Sequence, residues 1–481
     1  MAASHVDALR RVMRGTVVGP DDPGYDEARA VFHGGIDRRP AAVVRPAGAG
    51  DVAAAVRFAA AAGLELAVRG GGHSPAGHGT SEGGLVLDLR DLDELRVDLD
   101  GRTAWAGAGL TAAAYTAAVG EHGLATGFGD TGSVGISGIT LAGGIGFLVR
   151  GTGLTVDSLL AAEVVTAEGE RLVADEGHHP DLFWALRGGG GNFGVVTRLR
   201  YRLHGLPGVV GGILVLPATP EVVASFVSLA EEAPEELSTI VNVMPAPPLP
   251  GLREEHVGRP SVLAFLCYAG DEDRGERAVA PFRALAPALL DAVRPMKYPE
   301  MYPPEDGSYR PTAVARTGFA DRVGEDGAER ILEALATSDA PLRAVQLRAL
   351  GGAMARVPAD ATAFAHRSRR LMVNVAAFYE GPEDLPARRA WVEELSAALT
   401  GGPGAYVGFL GEEGEARVRE AYPDGTWERL RVVKRRYDPG NLFRVNQNVP
   451  PAGGGGPART GSGPIPSWQD GSSRPGSEVG R

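Results

Sequence analysis

Three glycine-rich segments lie within the first 206 residues of this chain, and each adjoins a stretch with the pattern of a β-strand. Their sequences are RGGGHS at 69–74, GDTGSVGISGITLAGGIG at 129–146 and RGGGGNFGVVT at 187–197. Glycine allows backbone N–H groups to approach an anion closely, and a pyrophosphate is the commonest anion held in this way. Together the three segments predict loops that surround one extended, phosphate-bearing ligand.

The residues before the first glycine loop have the pattern of a βαβ unit. AAVVRP at 41–46 predicts a strand, GDVAAAVRFAAAAG at 50–63 a helix, and LELAVR at 64–69 a second strand. Asp51 is the expected N-cap of the helix and Gly63 its C-terminal stop. The first glycine loop therefore lies at the carboxyl end of a strand, where ligands of α/β folds usually bind.

The first glycine loop matches neither of two common phosphate-binding patterns. No Gly-Lys-Ser/Thr follows RGGGHS, and no helix opens directly after its glycines as the dinucleotide fingerprint requires. Taken alone, such a glycine run is also compatible with a flexible surface turn. His73, at the end of the loop, either lies beside the ligand or is a solvated histidine with local hydrogen bonds, and the residues alone leave both open.

From about residue 207 the glycine loops stop, and helical and strand patterns alternate. Helical periodicity is found at 220–234, 328–337 and 387–401, and strand patterns are found at 209–217, 261–270, 342–352 and 371–381. We expect helices packed on one face of an antiparallel sheet, so that the chain as a whole has an α+β fold. The glycine- and proline-rich tail from about 451 cannot bury a core and is predicted to be disordered.

Charge and cysteine content exclude several classes of function. The formal net charge of −12 would repel the phosphate backbone of a nucleic acid. Cys267 is the single cysteine, which excludes an intrachain disulfide and a cysteine-based metal site, and we expect it to be buried. His178 and His179 have no partner at ligand spacing, so no metal site is predicted. The sequence has neither a signal-peptide core nor a membrane span, and we expect a cytoplasmic protein without a membrane partner.

The order of these pieces resembles that of a known family. RPAGAGDVAAAVRFAAAAGLELAVRGGGHSPAGHGT at 45–80 is similar to the start of the PCMH-type flavin-binding domain of the vanillyl-alcohol-oxidase superfamily. YDPGNLFRVNQNVPP at 437–451 is similar to the C-terminal signature of its berberine-bridge-enzyme-like branch. The resemblance covers about residues 36–206 and 405–450. It implies a two-part FAD-binding domain plus a substrate domain with an antiparallel sheet covered by helices.

This resemblance gives the expected division of the chain. We predict an N-terminal segment at 1–35, an FAD-binding domain at 36–206, a substrate-binding domain at 207–430, a segment at 431–450 that returns to the FAD domain, and a disordered tail at 451–481.

The resemblance also implies a set of cofactor-binding residues. Backbone amides from Arg69 to Ser74 would bind the FAD pyrophosphate, and His73 would be bonded covalently to the flavin 8α-methyl carbon. Many relatives have a second, cysteinyl link, but Thr131 occupies the cysteine position here, so only one link is expected. Val134 falls where the family controls access of oxygen, and a compact residue there resembles the oxidases. The predicted set is Arg69, Gly70, Gly71, Gly72, His73, Ser74, His78, Thr131, Gly132, Ser133, Val134, Gly135, Gly138, Gly143, Gly144, Gly194, Val196, Asn446 and Asn448.

Oxidation by hydride transfer needs a base to take the hydroxyl or amine proton, and the family often uses tyrosine. Tyr422 resembles the tyrosine that precedes the family's last helix and is the first candidate. Tyr406 matches a family segment in which Gly408 replaces an asparagine. His366 and Tyr379, with Asn374, match a substrate-domain segment that lines the pocket. Each could instead be a hydrogen-bonded residue at a domain interface.

The resemblance implies an FAD-dependent oxidase that takes hydride from a small organic alcohol, amine or sugar-like substrate, with O2 as electron acceptor. A flavin dehydrogenase or reductase on the same fold, and a non-catalytic flavin-binding protein, are the alternatives. The oligomeric state has no signal in the sequence.

Overall fold

A computed structural model describes residues 2–453, so the predicted disordered tail lies outside the described residues from position 454 onward. The helices are α1 Ala2–Val12, α2 Tyr25–Arg29, α3 Ala49–Ala62, α4 Ala112–Gly120, α5 Ile136–Leu141, α6 Val149–Thr152, α7 Pro180–Leu186, α8 Pro220–Glu232, α9 Glu272–Arg283, α10 Glu325–Thr337, α11 Ala353–Arg356, α12 Leu385–Leu399, α13 Glu415–Ala421 and α14 Asp424–Tyr437. The strands are β1 Thr16–Val18, β2 Ala42–Arg45, β3 Leu66–Arg69, β4 Leu85–Asp88, β5 Leu95–Asp98, β6 Thr103–Gly107, β7 Leu124–Ala125, β8 Leu159–Val165, β9 Arg171–Asp175, β10 Val195–Arg202, β11 His204–Gly205, β12 Val209–Pro217, β13 Leu237–Pro245, β14 Pro260–Tyr268, β15 Leu290–Asp291, β16 Arg294–Met296, β17 Ala313–Ala320, β18 Arg343–Ala349 and β19 Leu371–Phe378.

The first sheet contains the predicted βαβ unit and has the strand order β1-β2-β4-β3. β2 and β3 are both parallel to β4, which lies between them. α3 ends at Gly63, whose left-handed backbone (φ 64°) suits glycine, as predicted. The prediction that Asp51 is the N-cap was wrong, because Gly48 holds that position. The Asp51 carboxylate instead accepts hydrogen bonds from the backbone N–H groups of Gly15 and Ala47, at 2.7 and 3.0 Å.

The N-terminal segment is an integral part of this first sheet. β1 pairs antiparallel with β2. Leu9 and Val17 are buried in the same apolar cluster as α3 and the parallel strands. The Tyr25 hydroxyl donates to the Pro40 carbonyl at 2.6 Å. Burial of this apolar surface therefore fixes residues 5–36 against the first glycine loop.

The second sheet carries the other two glycine loops and has the order β5-β6-β10-β8-β9, with antiparallel neighbours throughout. β5 pairs with β6 and β8 pairs with β9 as two antiparallel hairpins. The second glycine loop precedes and follows α5, while the third leads from α7 into β10. The second loop is therefore held by α5, and the third is held between α7 and β10.

The third sheet has the antiparallel order β15-β12-β14-β13-β18-β19-β17, with β16 also paired to β12. α8, α9, α10 and α12 pack on one face of it through an apolar cluster that includes Phe226, Phe282, Ile331 and Leu395. This confirms the predicted α+β architecture with helices that cover an antiparallel sheet. Because neighbours in register point to the same face, the uncovered face carries what we term the polar row: Asn242, Gln346, Asn374 and Thr317.

The segment after α14 returns to the first sheet. Phe443 is buried in the apolar cluster of that sheet, next to residues such as Val44 and Leu87. No helix between residues 2 and 453 is both long and apolar enough to cross a membrane.

Candidate active site

A cavity of about 1150 Å³ lies between the glycine loops and the uncovered face of the third sheet. This volume exceeds the range of about 300–1,000 Å³ that is usual for small-molecule sites. The predicted residues that line it are Arg69, Gly70, Gly71, Gly72, His73, Ser74, His78, Thr131, Val134, Gly135, Gly138, Gly194, Val196, Tyr379, Tyr406 and Asn446. All three glycine loops thus open into one space, which accommodates a ligand of cofactor size together with a substrate.

The first and second glycine loops touch each other through their backbones. A Cβ atom on Gly71 would overlap the backbone nitrogen of Gly135, and a Cβ on Gly135 would overlap that of Gly71. The N–H groups of Gly71, Gly72, His73 and Ser74 donate no backbone hydrogen bond to any of residues 2–453. Successive free amides of this kind suit a phosphate group.

The Arg69 side chain packs beside Gly72 and Gly79, and its guanidinium is held by groups outside the first glycine loop. Its guanidinium lies 2.9 Å from the buried carboxylate of Asp88 and donates to the Ala30 carbonyl at 3.0 Å. Because the guanidinium is engaged in these bonds, Arg69 would contact a phosphate through its backbone N–H.

His73 sits in an apolar and partly enclosed setting. Phe32 stacks on its imidazole, with ring centroids 4.1 Å apart and an interplanar angle of 22°. The backbone of Ser133 acts to raise the pKa of this imidazole, but the effect of burial is larger. Burial lowers the pKa of His73 to about 4, so the ring is neutral at pH 7. A neutral imidazole keeps one nitrogen lone pair free to act as a nucleophile.

No pattern in the sequence indicated Phe32, because its contact with His73 exists only in the folded chain. Gly132 and Ser133 were predicted to bind the cofactor together with the neighbouring residues of their loop. Neither lines the cavity; both lie against the carboxylate of Glu305, which accepts the Ser133 N–H at 3.0 Å.

A buried lysine ties the C-terminal segment to the third glycine loop. Lys434 Nζ donates to the Asn192 and Phe443 carbonyls, both at 2.8 Å, and to Asp438 at 2.7 Å. The Asn192 amide in turn donates to the Gln447 carbonyl at 3.1 Å. Lys434 and Asp438 are fully buried. In the sequence they form part of a basic helix and its following turn, and no pattern there indicates burial.

Asn446 and Asn448 each have a buried Oδ1 atom without a hydrogen-bond partner among residues 2–453. Asn446 Nδ2 donates to the Gly191 carbonyl at 3.2 Å, and the residue lines the cavity, whereas Asn448 does not. A buried acceptor costs free energy unless a donor reaches it. Together with the free amides of the first loop, the Asn446 oxygen fits a ligand with phosphates at one part and N–H or O–H donors at another, as FAD has.

Tyr406 lines the cavity, and its hydroxyl oxygen accepts a backbone hydrogen bond. Its oxygen accepts the Gly144 N–H at 3.1 Å, and the Ile145 N–H also points to it. Burial raises the pKa of Tyr406 to about 12, although these amides and the nearby Arg348 lower it. Gly144, which was predicted to bind the cofactor, instead donates its N–H to Tyr406 and does not line the cavity. Gly143 does not line it either, because a Cβ at that position would meet the Phe364 ring.

Tyr422 and His366 lie outside the candidate site. The Tyr422 hydroxyl is fully buried and donates to the Gly188 carbonyl at 3.2 Å, and burial raises the pKa of this phenol. His366 Nε2 is 2.9 Å from the Glu420 carbonyl oxygen, and its ring is tilted against Phe319. Neither residue lines the cavity, so direct contact with a substrate has no support from their positions.

The polar row supplies hydrogen-bonding groups on the substrate side. Gln346 and Asn374 line the cavity, and Gln346 donates to Asn242 Oδ1 at 3.1 Å. Asn374 Oδ1 is buried and has no partner within the described part of the chain. Arg348, also on this face, forms an ion pair with Asp130 at 2.7 Å.

Cys267 is buried in an apolar cluster with Tyr298 and Tyr302, as expected, and burial raises the pKa of its thiol to about 12. In the part of the chain that the structure describes, no group of three or more His, Cys, Asp or Glu residues is arranged to hold a metal ion.

Comparisons with known proteins identify the family of this chain. Residues 40–175 match the model of the FAD binding domain family, and residues 405–450 match that of the berberine and berberine like family. The chain is 33% identical over 466 residues to (R)-6-hydroxynicotine oxidase of Paenarthrobacter nicotinovorans, a match that covers 92% of this chain and 98% of that protein. It is 29% identical to the xylooligosaccharide oxidase of Thermothelomyces thermophilus, with 88% and 89% covered.

Solved structures share the fold of this chain. The crystal structure of 6-hydroxy-D-nicotine oxidase from Arthrobacter nicotinovorans is similar, with a TM-score of 0.80, 30% identity, and 91% of this chain and 98% of that chain covered. A BBE-like protein from Physcomitrella patens shares the fold, with a TM-score of 0.82 at 22% identity and coverage of 94% and 99%. The chain therefore belongs to the berberine-bridge-enzyme-like family of FAD-linked oxidoreductases and is an FAD-dependent oxidoreductase.

Proposed function

We propose that this chain is an oxidase that removes a hydride from a small organic alcohol, amine or sugar-like substrate. Bound FAD supplies the redox chemistry, accepting the hydride and passing both electrons to O2, which leaves as hydrogen peroxide. The observation that carries the proposal is the single cavity that joins the glycine loops, His73 and Tyr406 to the polar row. Full-length similarity to proteins named as oxidases of a hydroxynicotine and of xylooligosaccharides supports it.

We infer that the flavin is held covalently through His73 and through no cysteine. A neutral imidazole at the cavity wall has the chemistry that such a bond requires. Thr131 lines the cavity at the position where many relatives have a cysteine, while Cys267 lies in a separate apolar cluster.

Tyr406 is the residue we assign as the base. The Gly144 N–H that donates to its oxygen at 3.1 Å would stabilise a phenolate, because hydrogen bonds to a charged form favour it. Since this amide approaches the oxygen from the protein side, the O–H of Tyr406 would be left for the cavity. Asn374 and Gln346 would then hydrogen-bond the hydroxyl or amine of the substrate.

The test is spectroscopic and works before the substrate has been identified. Purified protein should show a flavin spectrum, and mixing with a panel of neutral sugars, alcohols and secondary amines should bleach it anaerobically. Readmission of air should restore the colour with release of one peroxide per flavin. A flavin that is bleached by NADPH, and that air does not reoxidise, would instead identify a reductase. A flavin that no donor bleaches would point to a binding protein.

A further inference from the structure

The aromatic ring against His73 comes from the N-terminal segment, which reaches the first glycine loop at this point. Phe32 is fixed at two points: its ring stacks on His73 at 4.1 Å, and its N–H donates to the Gly72 carbonyl at 3.1 Å. Tyr309 lies edge-on to Phe32, with centroids 6.3 Å apart. Phe32 thus covers one face of the imidazole, and the first glycine loop in turn holds Phe32 through the Gly72 carbonyl.

The backbone of Ser133 is a second group that acts on the His73 ring. Its effect is to raise the pKa of the imidazole, the direction expected of a carbonyl near a ring N–H. Ser133 is itself held by Glu305, which accepts hydrogen bonds from its N–H at 3.0 Å and from its hydroxyl. Because neutral imidazole has one N–H and one lone pair, a ring whose N–H is directed to Ser133 would present its lone pair on the opposite nitrogen.

We propose that Phe32 is a positioning residue for covalent flavin attachment, holding the His73 ring so that its free nitrogen faces the 8α-methyl carbon. This inference rests on the proposed histidyl link. The χ2 angle of histidine is broad, so an unstacked ring would sample many orientations that cannot react. Attack needs the reacting atoms in contact and aligned, and stacking supplies the alignment in advance.

The attachment step balances with dioxygen as the oxidant. A bond forms between the His73 nitrogen and the 8α carbon. One C–H bond of the methyl group breaks, and the imidazole N–H gives up its proton. The electron pair of the C–H bond, with two protons, reduces the flavin ring. O2 then takes these two electrons and two protons and leaves as hydrogen peroxide.

The experiment follows attachment in time. Protein made under riboflavin limitation, and therefore poor in flavin, is mixed with FAD in air. Covalent product is measured as flavin fluorescence in a denaturing gel and as the mass increase of the intact chain, while total bound FAD is measured by absorbance. The variants are Phe32→Leu, which keeps an apolar side chain without the ring, Phe32→Tyr, which keeps the ring, and His73→Ala.

We expect Phe32→Tyr to react at the wild-type rate and Phe32→Leu to react about three- to tenfold more slowly, the factor expected for loss of one aromatic pair. Total bound FAD should be equal in the wild type and both Phe32 variants, and His73→Ala should give no covalent product. Equal rates in Phe32→Leu and wild type would overturn the proposal, as would loss of FAD binding in Phe32→Leu. Wild-type flavin that remains unattached would remove the histidyl link and this inference, while peroxide release in that protein would leave the oxidase proposal intact.

Discussion

Opposing effects act on the pKa of the Tyr406 phenol. Burial raises its pKa to about 12, while two backbone amides and Arg348 act in the other direction. Tyr422 has the same buried character but donates its proton to the Gly188 carbonyl and has no amide at its oxygen within the described residues. The difference between the two tyrosines is therefore one of hydrogen-bond direction and of access to the cavity.

Replacing Tyr406 by Phe should lower the rate of flavin reduction by about 10²- to 10⁴-fold, the usual contribution of a positioned acid or base. Flavin content should be unchanged. Tyr422→Phe serves as the matched control, and we expect it to retain most activity because its hydroxyl does not reach the cavity. Rapid anaerobic mixing with a substrate measures both rates. Loss of activity in Tyr422→Phe alone would restore Tyr422 as the base.

Residue roles could be predicted only in part. RGGGHS identifies His73 because the glycines and the imidazole are adjacent in sequence. Tyr406 and Tyr422 could not be ranked, since which of them faces the cavity depends on how residues far apart in the chain pack. Phe32 and Lys434 had no local signal, because neither an aromatic residue in a short segment nor a lysine in a basic helix indicates by itself which side it faces.

At the scale of elements, the first and second glycine loops pack closely against each other, backbone to backbone. Gly71 does not have a left-handed φ, so its replacement tests space and not backbone strain. The overlap between a Cβ at this position and the nitrogen of Gly135 requires one loop to move. Since the same loops line the cavity, this movement displaces groups that would hold the cofactor.

Gly71→Ala should therefore weaken FAD binding and destabilise the protein by about 1–3 kcal/mol, the usual cost of overpacking. Gly50→Ala is the control, because Gly50 lies in α3 with open space around it and alanine favours helix. FAD titration and denaturant unfolding of both variants give the comparison. Equal affinities would show that the two loops are free to separate.

The buried pair Lys434–Asp438 holds α14 to the segment that follows it. Lys434→Met should cost about 3–5 kcal/mol in the free energy of unfolding, because Asp438 would be left buried without a counter-charge. Arg435→Met removes a charge from the next, exposed position and should have little effect. Urea unfolding followed by circular dichroism measures both. A similar loss in the two variants would mean that only the charge of the helix matters.

Local patterns predicted the elements with strong periodicity of their own, namely the βαβ unit and helices α8, α10 and α12. Other elements, such as β1, β13, β17 and α9, were not predicted. β1 has three residues, so its existence depends on pairing with β2 and not on its own pattern. The expected N-cap at Asp51 failed for a similar reason, since its carboxylate binds amides of the distant N-terminal segment.

At the scale of the whole molecule, three histidines at the cavity link stability to pH. Burial lowers the pKa of His73 and His78 to about 4, and it also lowers the pKa of His33. An unfolded chain leaves histidine near about 6.5, so between these values the unfolded state binds more protons than the native state. The stabilisation is complete above a pH of about 6.5 and is lost as the pH falls towards 4.

We expect the urea midpoint of the apoprotein to be constant between about pH 7 and 8 and to decrease from about pH 6 to pH 4. His78→Gln should reduce the steepness of that decrease, because one of the three cavity histidines with a lowered pKa is gone. An unchanged slope in the variant would show that His78 is protonated as easily in the native protein as in the unfolded chain.

Asn192 donates to the carbonyl of Gln447 and accepts the N–H of Val449 at 2.9 Å, so the third glycine loop is closed by residues near position 450. Phe32, from the opposite end of the sequence, closes the first loop. A growing polypeptide whose three glycine loops have already left the ribosome would still lack the residues near position 450 that close the cofactor cavity. Flavin loading should consequently be a late event in biosynthesis, and ribosome-bound chains halted before residue 440 should fail to retain FAD.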